Sequence, residues 1–324
     1  MPKLAYLLAA SHSGSTLLAM LLGAHPEACT VGELKATSLG DPNLYLCSCG
    51  QKIKECAFWK QVSQAMARRG IAGFDITQAG TSIYEARSRY AQCLLAPLHR
   101  GPGLEFLRDL GLFFSPAWRA HLRESQRRSA ALVEVLQEIR AAKVVVDSSK
   151  VALRLKYLLN NPTLEIKVIH LIRDGRAVAM TYTDEWSFAD ARDPTLRGGG
   201  TGLKRDPPRQ NMAEAANEWK RSNEAADCLL RGLPTWKWTR VSYEDLCQDP
   251  AGVLRRLCEF LELDPGKIVL NFRSCPQHVI GNGMRLDKGC EIRVDERWKS
   301  SLSSDQLRAF DIRAGSLNRH YGYE

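Results

Sequence analysis

The chain has 324 residues, of which 44% are hydrophobic and 25% are charged, an ordinary globular composition with enough apolar side chains for a large core. Its formal net charge of +9 suits an anionic ligand, an acidic acceptor or a nucleic acid. Because the sequence contains no basic patch interleaved with aromatic residues and no RNP-like motif, we expect no nucleic-acid partner.

The first apolar run, residues 4–10, is too short to cross a membrane, because the polar segment 11–16 interrupts it. Only Lys3 carries charge ahead of this run, and no convincing small-residue cleavage site follows it. We therefore expect no secretory signal and no transmembrane segment, and we predict a cytoplasmic protein. The ten cysteines agree with that compartment if most of them are reduced.

Short apolar runs alternate with helical segments along the chain. Buried strands are predicted over residues 4–10, 143–146, 166–172 and 236–241. Helices are predicted over residues 16–23, 151–159, 174 to about 186, 212–230, 252–261 and 305–318. Strands that alternate with helices imply an α/β protein with a central parallel sheet covered on both faces, which is a three-layer sandwich.

Two segments have the character of insertions. Residues 57–140 are mostly helical, rich in Arg and Ala, and without a strand signal. Residues 188–210 are rich in Gly, Pro and charge, which is typical of a mobile loop over an active site and equally of a plain surface loop. Since the motifs described below lie at both ends and in the middle of the chain, we expect a single domain over residues 1–324.

The segment Ser11–Thr16 stands between the first strand and the first helix. Its small residues let the backbone curl around an anion, and the helix that follows directs free N–H groups and its positive dipole end toward the same place. No Gly-Lys-Ser/Thr pattern occurs here, which disfavours an ATP- or GTP-hydrolysing enzyme. The segment is therefore either a phosphate cradle or an ordinary Ser/Thr N-cap.

Two further motifs follow predicted strands. The segment 169–177 delivers Arg173 to the C-terminal end of a strand, where open α/β sheets bind ligands and where Arg can grip phosphate with both of its terminal N–H groups. Asp174 can cap the next helix, and Thr181 lies about two turns along it. The segment 147–150 places Lys150 at the same sheet edge; taken alone, it would be an N-capping Ser followed by a solvated Lys.

Together, these motifs resemble the sulfotransferase superfamily, and in particular its bacterial branch and the Golgi carbohydrate and tyrosylprotein enzymes. The resemblance implies a P-loop-like fold with helical insertions and a sulfuryl transfer from 3'-phosphoadenosine 5'-phosphosulfate (PAPS), which leaves the bisphosphate PAP. Further matching segments are His25-Pro26 with Gly32-Glu33, residues 242–246 with Pro250, residues 281–285 and residues 295–298.

The resemblance also implies roles for individual residues. The loop that holds the 5'-phosphosulfate corresponds to Ser11, His12, Ser13, Gly14, Ser15 and Thr16. Arg173 and Thr181 correspond to ligands of the 3'-phosphate, and Tyr243 to a tyrosine of the nucleotide site. Glu33 corresponds to a catalytic base and Lys150 to a lysine that stabilises the transition state. Weaker correspondences give donor-binding roles to Asn282, Arg285 and Arg297.

His12 departs from the family pattern, because relatives carry Lys or Arg there. Histidine is charged only below a pKa of about 6.5, unless a neighbouring phosphosulfate raises that pKa. Either His12 helps as a cation, or it donates one hydrogen bond while Lys150 carries the charge. Two alternatives to a sulfotransferase stay open. One is a P-loop-type small-molecule kinase, which the absent Gly-Lys-Ser/Thr pattern disfavours; the other, suggested by His12, is a nucleotide-binding relative that has lost catalysis.

The expected reaction is an in-line displacement at sulfur, for which protein cations and backbone N–H groups suffice, so we expect no metal. The acceptor is a hydroxyl group of a small molecule, a glycan, a lipid or a peptide; the sequence does not choose among them. Cys47, Cys49 and Cys56 hint at zinc, with Cys29 or His25 as a fourth ligand. Reduced thiols are the favoured interpretation of this cluster, ahead of zinc or a disulfide.

Overall fold

The structure is a computed structural model that describes residues 1–35, 39, 41–86, 88–95, 102–184, 189, 191, 193–196 and 210–324. Most of the predicted loop 188–210 therefore lies outside the described residues, as does the predicted end of a helix near residue 186. Among the described helices, none is both long and apolar enough to cross a membrane.

Five parallel strands form one sheet in the order β2-β3-β1-β4-β5. They span Lys3–Leu8 (β1), Ala28–Gly32 (β2), Val144–Lys150 (β3), Glu165–Ile172 (β4) and Trp238–Ser242 (β5). The chain leaves β1 toward one edge of the sheet and later returns to the other side. This reversal puts the C-terminal ends of β1, β3 and β4 next to one another, where parallel sheets open a crevice for ligands.

Both faces of the sheet are covered, which explains why β1 is a continuous apolar run. Leu4, Tyr6 and Leu8 belong to one hydrophobic core, whereas Ala5 and Leu7 belong to another. Successive side chains of a strand point to opposite faces, so the two cores lie on opposite sides of the sheet. The result is the expected α/β arrangement with a central parallel sheet.

The α-helices in the described part of the chain are Ser15–Gly23 (α1), Ala57–Arg68 (α2), Arg89–Leu95 (α3), Pro102–Phe113 (α4), Pro116–Arg140 (α5), Ala152–Leu159 (α6), Gly175–Tyr182 (α7), Met212–Arg231 (α8), Tyr243–Gln248 (α9), Pro250–Leu261 (α10), Trp298–Ser301 (α11), Ser304–Phe310 (α12) and Ser316–His320 (α13). Apolar residues of α1 and α10 fill one core, and those of α2, α5, α6 and α8 fill the other.

The segment 57–140 is built from α2 to α5, which agrees with its predicted helical character. The longest of these helices, α5, begins with Pro116 after Ser115, whose side chain accepts a hydrogen bond from the backbone N–H of Trp118. Proline suits the first helical turn because its missing N–H would have no helical partner there. One apolar side of α5, including Leu132 and Leu136, packs into the same core as α2.

Strands β2 and β3 and the last predicted helix are among the elements that differ from the sequence prediction. Ala28–Gly32 is a buried edge strand where we expected no strand, since a run of only five residues that begins with Ala and ends with Gly carries little signal. β3 continues through Lys150, so residues 147–150 belong to the strand. The predicted helix 305–318 is interrupted by a π-helical turn at Asp311–Gly315, which separates α12 from α13.

Candidate active site

The loop between β1 and α1 has the backbone geometry of an anion cradle. His12 and Gly14 adopt left-handed conformations, with φ of 63° and 88°. Gly14 is the N-cap of α1, which has no side-chain cap and no acidic residue in its first turn. The N–H groups at this helix end are therefore not used by a capping side chain, and the interpretation as an ordinary Ser/Thr cap is wrong.

Close packing explains why residue 14 is glycine. A Cβ atom added to Gly14 would overlap the ring of Tyr243, the first residue of α9. The hydroxyl of Ser13, in the same loop, is buried and has no hydrogen-bond partner within the part of the chain that the structure describes. The cradle therefore has a tyrosine ring packed against it and holds a buried polar group that a bound anion could satisfy.

Beside the cradle, Glu33 lies between two lysines. β3 places Lys150 at the sheet edge in a left-handed conformation, and its Nζ atom contacts Oε1 of Glu33, which follows β2. The Nζ atom of Lys35 is 3.0 Å from the other carboxylate oxygen. The backbone carbonyl of Lys150 also accepts a hydrogen bond from Ala9 at the start of the cradle loop. A carboxylate and an ammonium group thus meet next to the cradle.

The charges of this group are set by burial and by one another. Burial alone would raise the pKa of Glu33, but the ammonium groups of Lys150 and Lys35 lower it to about 2. Burial lowers the pKa of Lys150, and the Glu33 carboxylate opposes that change. Burial is also the main reason that the pKa of His12 falls to about 4, helped by the positive charges of Lys150 and Arg173. At neutral pH and without a donor, His12 is therefore uncharged.

A hydrogen-bonded network holds the loop that carries Glu33. Oδ1 of the buried Asp147 accepts hydrogen bonds from the backbone N–H groups of Leu34 and Ser149, at 3.0 and 2.9 Å. The hydroxyl of Ser149 in turn accepts one from the N–H of Lys35 at 2.9 Å. The segment 147–150 thus positions the loop 33–35, a role that its sequence did not suggest.

Arg173, at the end of β4, connects three parts of the site and is only 6% exposed. One terminal nitrogen donates to the carbonyl of His12 at 2.8 Å, and the other to Oδ2 of Asp295 at 3.0 Å. The guanidinium lies over the ring of Tyr243, 4.5 Å from its centre. The hydrogen bond from Arg297, together with the positive charge of Arg173, holds the pKa of Asp295 well below its usual range although burial opposes this. In this structure, the guanidinium of Arg173 is therefore ion-paired with the carboxylate of Asp295.

The helix after Arg173 begins as predicted, because the side chain of Asp174 accepts a hydrogen bond from the N–H of Arg176. The hydroxyl of Thr181 donates to the carbonyl of Ala177 within the same helix at 3.0 Å. The hydroxyl of Tyr182, next to Thr181, donates to the carbonyl of Ser11 at 3.3 Å. α7 is therefore anchored to the cradle loop through Tyr182, whereas the hydroxyl of Thr181 is hydrogen-bonded within its own helix.

The three C-terminal candidates have different surroundings. Asn282 caps a short helical turn by accepting from the N–H of Met284 at 3.0 Å. Arg285 is fully buried and donates to the carbonyls of Leu46 and Gly281, so its guanidinium supports this loop. Arg297 is exposed and paired with Asp295, which links it to Arg173 through a shared carboxylate.

The sequence of this chain matches known sulfotransferases. The sequence model of the sulfotransferase family matches residues 117–265. The chain is 28% identical over 176 residues to carbohydrate sulfotransferase 5 of Mus musculus, which covers 51% of this chain and 44% of that protein. It is 29% identical over 229 residues to carbohydrate sulfotransferase 2 of Homo sapiens, covering 62% and 41%. The chain thus spans less than half the length of these curated relatives.

The fold is also similar to a solved structure. The sulfotransferase domain from the Synechococcus PCC 7002 olefin synthase superposes with a TM-score of 0.52 at 19% sequence identity, covering 99% of this chain and 95% of that domain. At this identity the likeness concerns the fold, and it confirms the expected P-loop-like α/β architecture. The family model and the two curated relatives show that this chain is similar in sequence to sulfotransferases over roughly half of its length, and its fold is similar to that of a sulfotransferase domain over nearly all of it.

Proposed function

We propose that the protein transfers a sulfuryl group from PAPS to a hydroxyl group of an acceptor. The observation that carries this proposal is the Lys150–Glu33 ion pair beside an anion cradle at the C-terminal edge of the sheet. This pair brings together a cation that can stabilise the leaving phosphate and a carboxylate that can take the proton of the acceptor. The sequence similarity to sulfotransferases supports the same reaction.

In this proposal the donor lies along the C-terminal edge of the sheet. The loop Ser11–Thr16 and the first turn of α1 hold the 5'-phosphosulfate through backbone N–H groups. Arg173 and Thr181 hold the 3'-phosphate, and Tyr243 lines the nucleotide site. Asn282 and Arg297 contribute from the C-terminal segment. Because Arg173 is ion-paired with Asp295, a bound phosphate would have to displace that carboxylate or share the guanidinium with it.

The transfer is an in-line displacement at sulfur. The acceptor oxygen forms a bond to sulfur, the bond from sulfur to the 5'-phosphate oxygen breaks, and PAP leaves with the electron pair of that bond. Glu33 takes the proton of the acceptor hydroxyl, and Lys150 stabilises the charge that develops on the leaving oxygen. Since the cations come from the protein, the reaction should proceed without added magnesium.

Lys150 couples the two halves of this reaction. While it is paired with Glu33, it keeps the pKa of that carboxyl near 2 and makes it a poor base. A donor phosphate offers Lys150 a competing anion, and a weakened pair would raise the pKa of Glu33 toward its ordinary range. Donor binding would thus prepare the base. His12, uncharged in the free enzyme, then serves as a hydrogen-bond donor and Lys150 as the cation.

The acceptor class is a proposal that rests on the relatives. Both curated relatives carry names of carbohydrate sulfotransferases, which favours a sugar hydroxyl over a phenol, a lipid or a peptide tyrosine. That the reaction takes place in the cytoplasm stays a prediction from the sequence.

An assay with PAPS labelled in the sulfuryl group would test the proposal. The protein is mixed with sugars, phenols, lipid alcohols and tyrosine peptides, and labelled acceptor and PAP are quantified. We expect the two products in equal amounts for at least one acceptor. PAP binding without transfer to any acceptor would indicate a relative that has lost catalysis. Phosphoryl transfer from ATP, measured in parallel, would indicate a kinase.

A further inference from the structure

Outside the proposed donor site, three cysteines and one histidine converge on a single point. Cys47, Cys49, Cys56 and His278 each offer one ligand atom, and these four atoms all lie within 4.8 Å of one another. We propose that they form a structural zinc site. Because zinc content is measured without donor or acceptor, this inference is independent of the proposed transfer reaction.

The distances between the ligand atoms fit a tetrahedral zinc ion. Zinc bound at about 2.3 Å to sulfur and about 2.05 Å to nitrogen separates two sulfurs by about 3.8 Å, and sulfur from nitrogen by about 3.5 Å. The Sγ atoms of Cys49 and Cys56 are 3.7 Å apart. Nδ1 of His278 is 3.4 Å from Sγ of Cys56 and 3.7 Å from Sγ of Cys47. These three distances match edges of the tetrahedron, and the other three are at most 4.8 Å.

The backbone holds the ligands in place. The N–H of Cys47 donates to the carbonyl of Gln51, and the N–H of Gly50 to the carbonyl of Cys47, both at 2.9 Å. This turn brings Cys47 and Cys49 together, and Cys56 is the N-cap of α2. The imidazole of His278 stacks on Phe58 with ring centres 4.3 Å apart.

The choice of metal follows from the ligand set. Three thiolates and one imidazole suit zinc, whereas magnesium and calcium prefer oxygen ligands. On binding, each thiol exchanges its proton for a bond to the metal, so three protons are released, and neutral His278 binds through the lone pair of Nδ1. Four protein ligands leave no open position, which is typical of structural rather than catalytic zinc.

The alternatives from the sequence do not fit this geometry. Cys29 and His25, the fourth ligands considered from the sequence, lie elsewhere: Sγ of Cys29 is 3.9 Å from the carbonyl of Leu136, and Nε2 of His25 is 2.9 Å from the carbonyl of Asp264. A disulfide is not formed, since the cysteines of the cluster are all free. Plain packing of thiols does not explain why a histidine nitrogen meets two sulfurs.

The site would fasten the segment that flanks Glu33. The chain runs from His278 directly to Ile280, whose N–H donates to the carbonyl of Val31 in β2 at 2.9 Å. A Cβ atom added to the next residue, Gly281, would lie 3.2 Å from the side chain of Glu33. Zinc would therefore tie residues 47–56 to the strand-like segment that packs against the proposed base.

Metal analysis of the full chain, purified under reducing conditions without a metal-affinity tag, tests the site. We expect one zinc per chain. Cys49→Ser and His278→Ala should lose most of it, and their unfolding midpoints should fall by roughly 5 °C or more. Cys228→Ser is the matched control, because that cysteine is exposed and outside the cluster, and it should keep one zinc.

A second measurement does not depend on whether the variants fold. Titration of the wild-type protein with a mercurial thiol reagent in the presence of a chromogenic zinc indicator should release one zinc as three cysteines react. The proposal would be overturned if wild-type protein contained no zinc and if adding zinc under reducing conditions did not raise its unfolding midpoint. The proposal would also be overturned if the mass of the protein were two daltons below that of the fully reduced chain and the difference mapped to a Cys49–Cys56 disulfide.

Discussion

At the scale of single residues, the environment of Glu33 decides whether it can act as a base. Its carboxylate lies between Lys150 and Lys35, which hold its pKa near 2. A carboxyl group with a lowered pKa in the folded protein stabilises the fold at pH values above its ordinary pKa, and this contribution is lost as the pH falls through the folded value. Glu33 is therefore ionised throughout the neutral range, and it would become an effective base once a donor weakens its pair with Lys150.

Glu33→Gln should cut the rate of the chemical step about a hundredfold or more, because an amide cannot take the acceptor proton. Affinity for PAP should remain nearly unchanged, as measured by calorimetry. Glu134→Gln is a matched control on an exposed salt bridge with Arg69 and should turn over normally. Normal turnover of Glu33→Gln would reduce Glu33 to a structural partner of Lys150.

The pH profile of kcat/KM separates the roles of His12 and Lys150. This parameter reports the free enzyme, in which the pKa of His12 is about 4. If a protonated His12 were required, kcat/KM would fall above about pH 4. We expect instead that neither Glu33 nor His12 causes a change between about pH 5.5 and 8, and that His12→Gln keeps this plateau. If kcat/KM of the wild type changed with pH in that range and the change disappeared in His12→Gln, His12 would be the charged group.

Arg173→Ala should weaken PAP binding about tenfold to a hundredfold, because it removes a charge-assisted grip on the 3'-phosphate worth roughly 1.5–3 kcal/mol. Calorimetric titration measures this loss. The control Arg319→Ala breaks an exposed pair with Asp311 and should bind PAP normally. Equal affinity of the two variants would show that Arg173 does not contact the nucleotide.

The sequence could name individual residues of the site but not the contacts between them. Arg173 and the loop 11–16 follow strands and Lys150 ends one, and all of them were recognisable by residue type. Asp295 was not predicted as the partner of Arg173, nor Lys150 as that of Glu33, because the members of each pair come from different elements and only the fold brings them together. His278 was missed for the same reason, as it lies far along the chain from Cys56.

At the scale of elements, the loop from β1 to α1 depends on one glycine. Gly14→Ala places a methyl group in a left-handed residue and against the ring of Tyr243. Gly70→Ala is the matched control, since Gly70 has a φ of 75° but open space around it. Both variants should lose about 1 kcal/mol of stability from backbone strain, and Gly14→Ala should lose roughly 1–3 kcal/mol more.

Chemical denaturation measures that difference, and PAP titration shows whether the cradle survives. We expect Gly14→Ala to lose donor binding and Gly70→Ala to keep it. Equal stability of the two variants would mean that the Tyr243 ring moves aside without cost.

Elements with strong apolar periodicity were predictable, and short or irregular ones were not. β1, β4 and α8 were predicted to within a few residues, because their apolar patterns are long and well bounded. β2 was missed since it is only five residues long and includes Ala and Gly, and it owes its strand conformation to pairing with β3. Pairing with a distant neighbour is a tertiary effect that a local pattern does not contain.

At the scale of the whole molecule, Asp295 joins the C-terminal segment to the centre of the sheet. The Asp295 carboxylate is ion-paired with Arg173 in the donor-free protein. Asp295→Asn should therefore free that guanidinium and remove a negative charge near the proposed site of the 3'-phosphate. We expect PAP to bind several-fold more tightly. Asp311→Asn, on an exposed pair with Arg319, is the control and should bind as wild type. Weaker binding in Asp295→Asn would show that Asp295 positions Arg173 for the nucleotide.

The order of the strands has a consequence for synthesis on the ribosome. β1 ends at Leu8, whereas its two neighbours, β3 and β4, begin at Val144 and Glu165. At about 5–20 residues per second, the first strand waits roughly 7–30 s before either neighbour has been translated. During this interval, the apolar residues of β1 and α1 have no sheet to pack on, so the nascent chain should be a target for chaperones, and fragments that stop before β3 should aggregate.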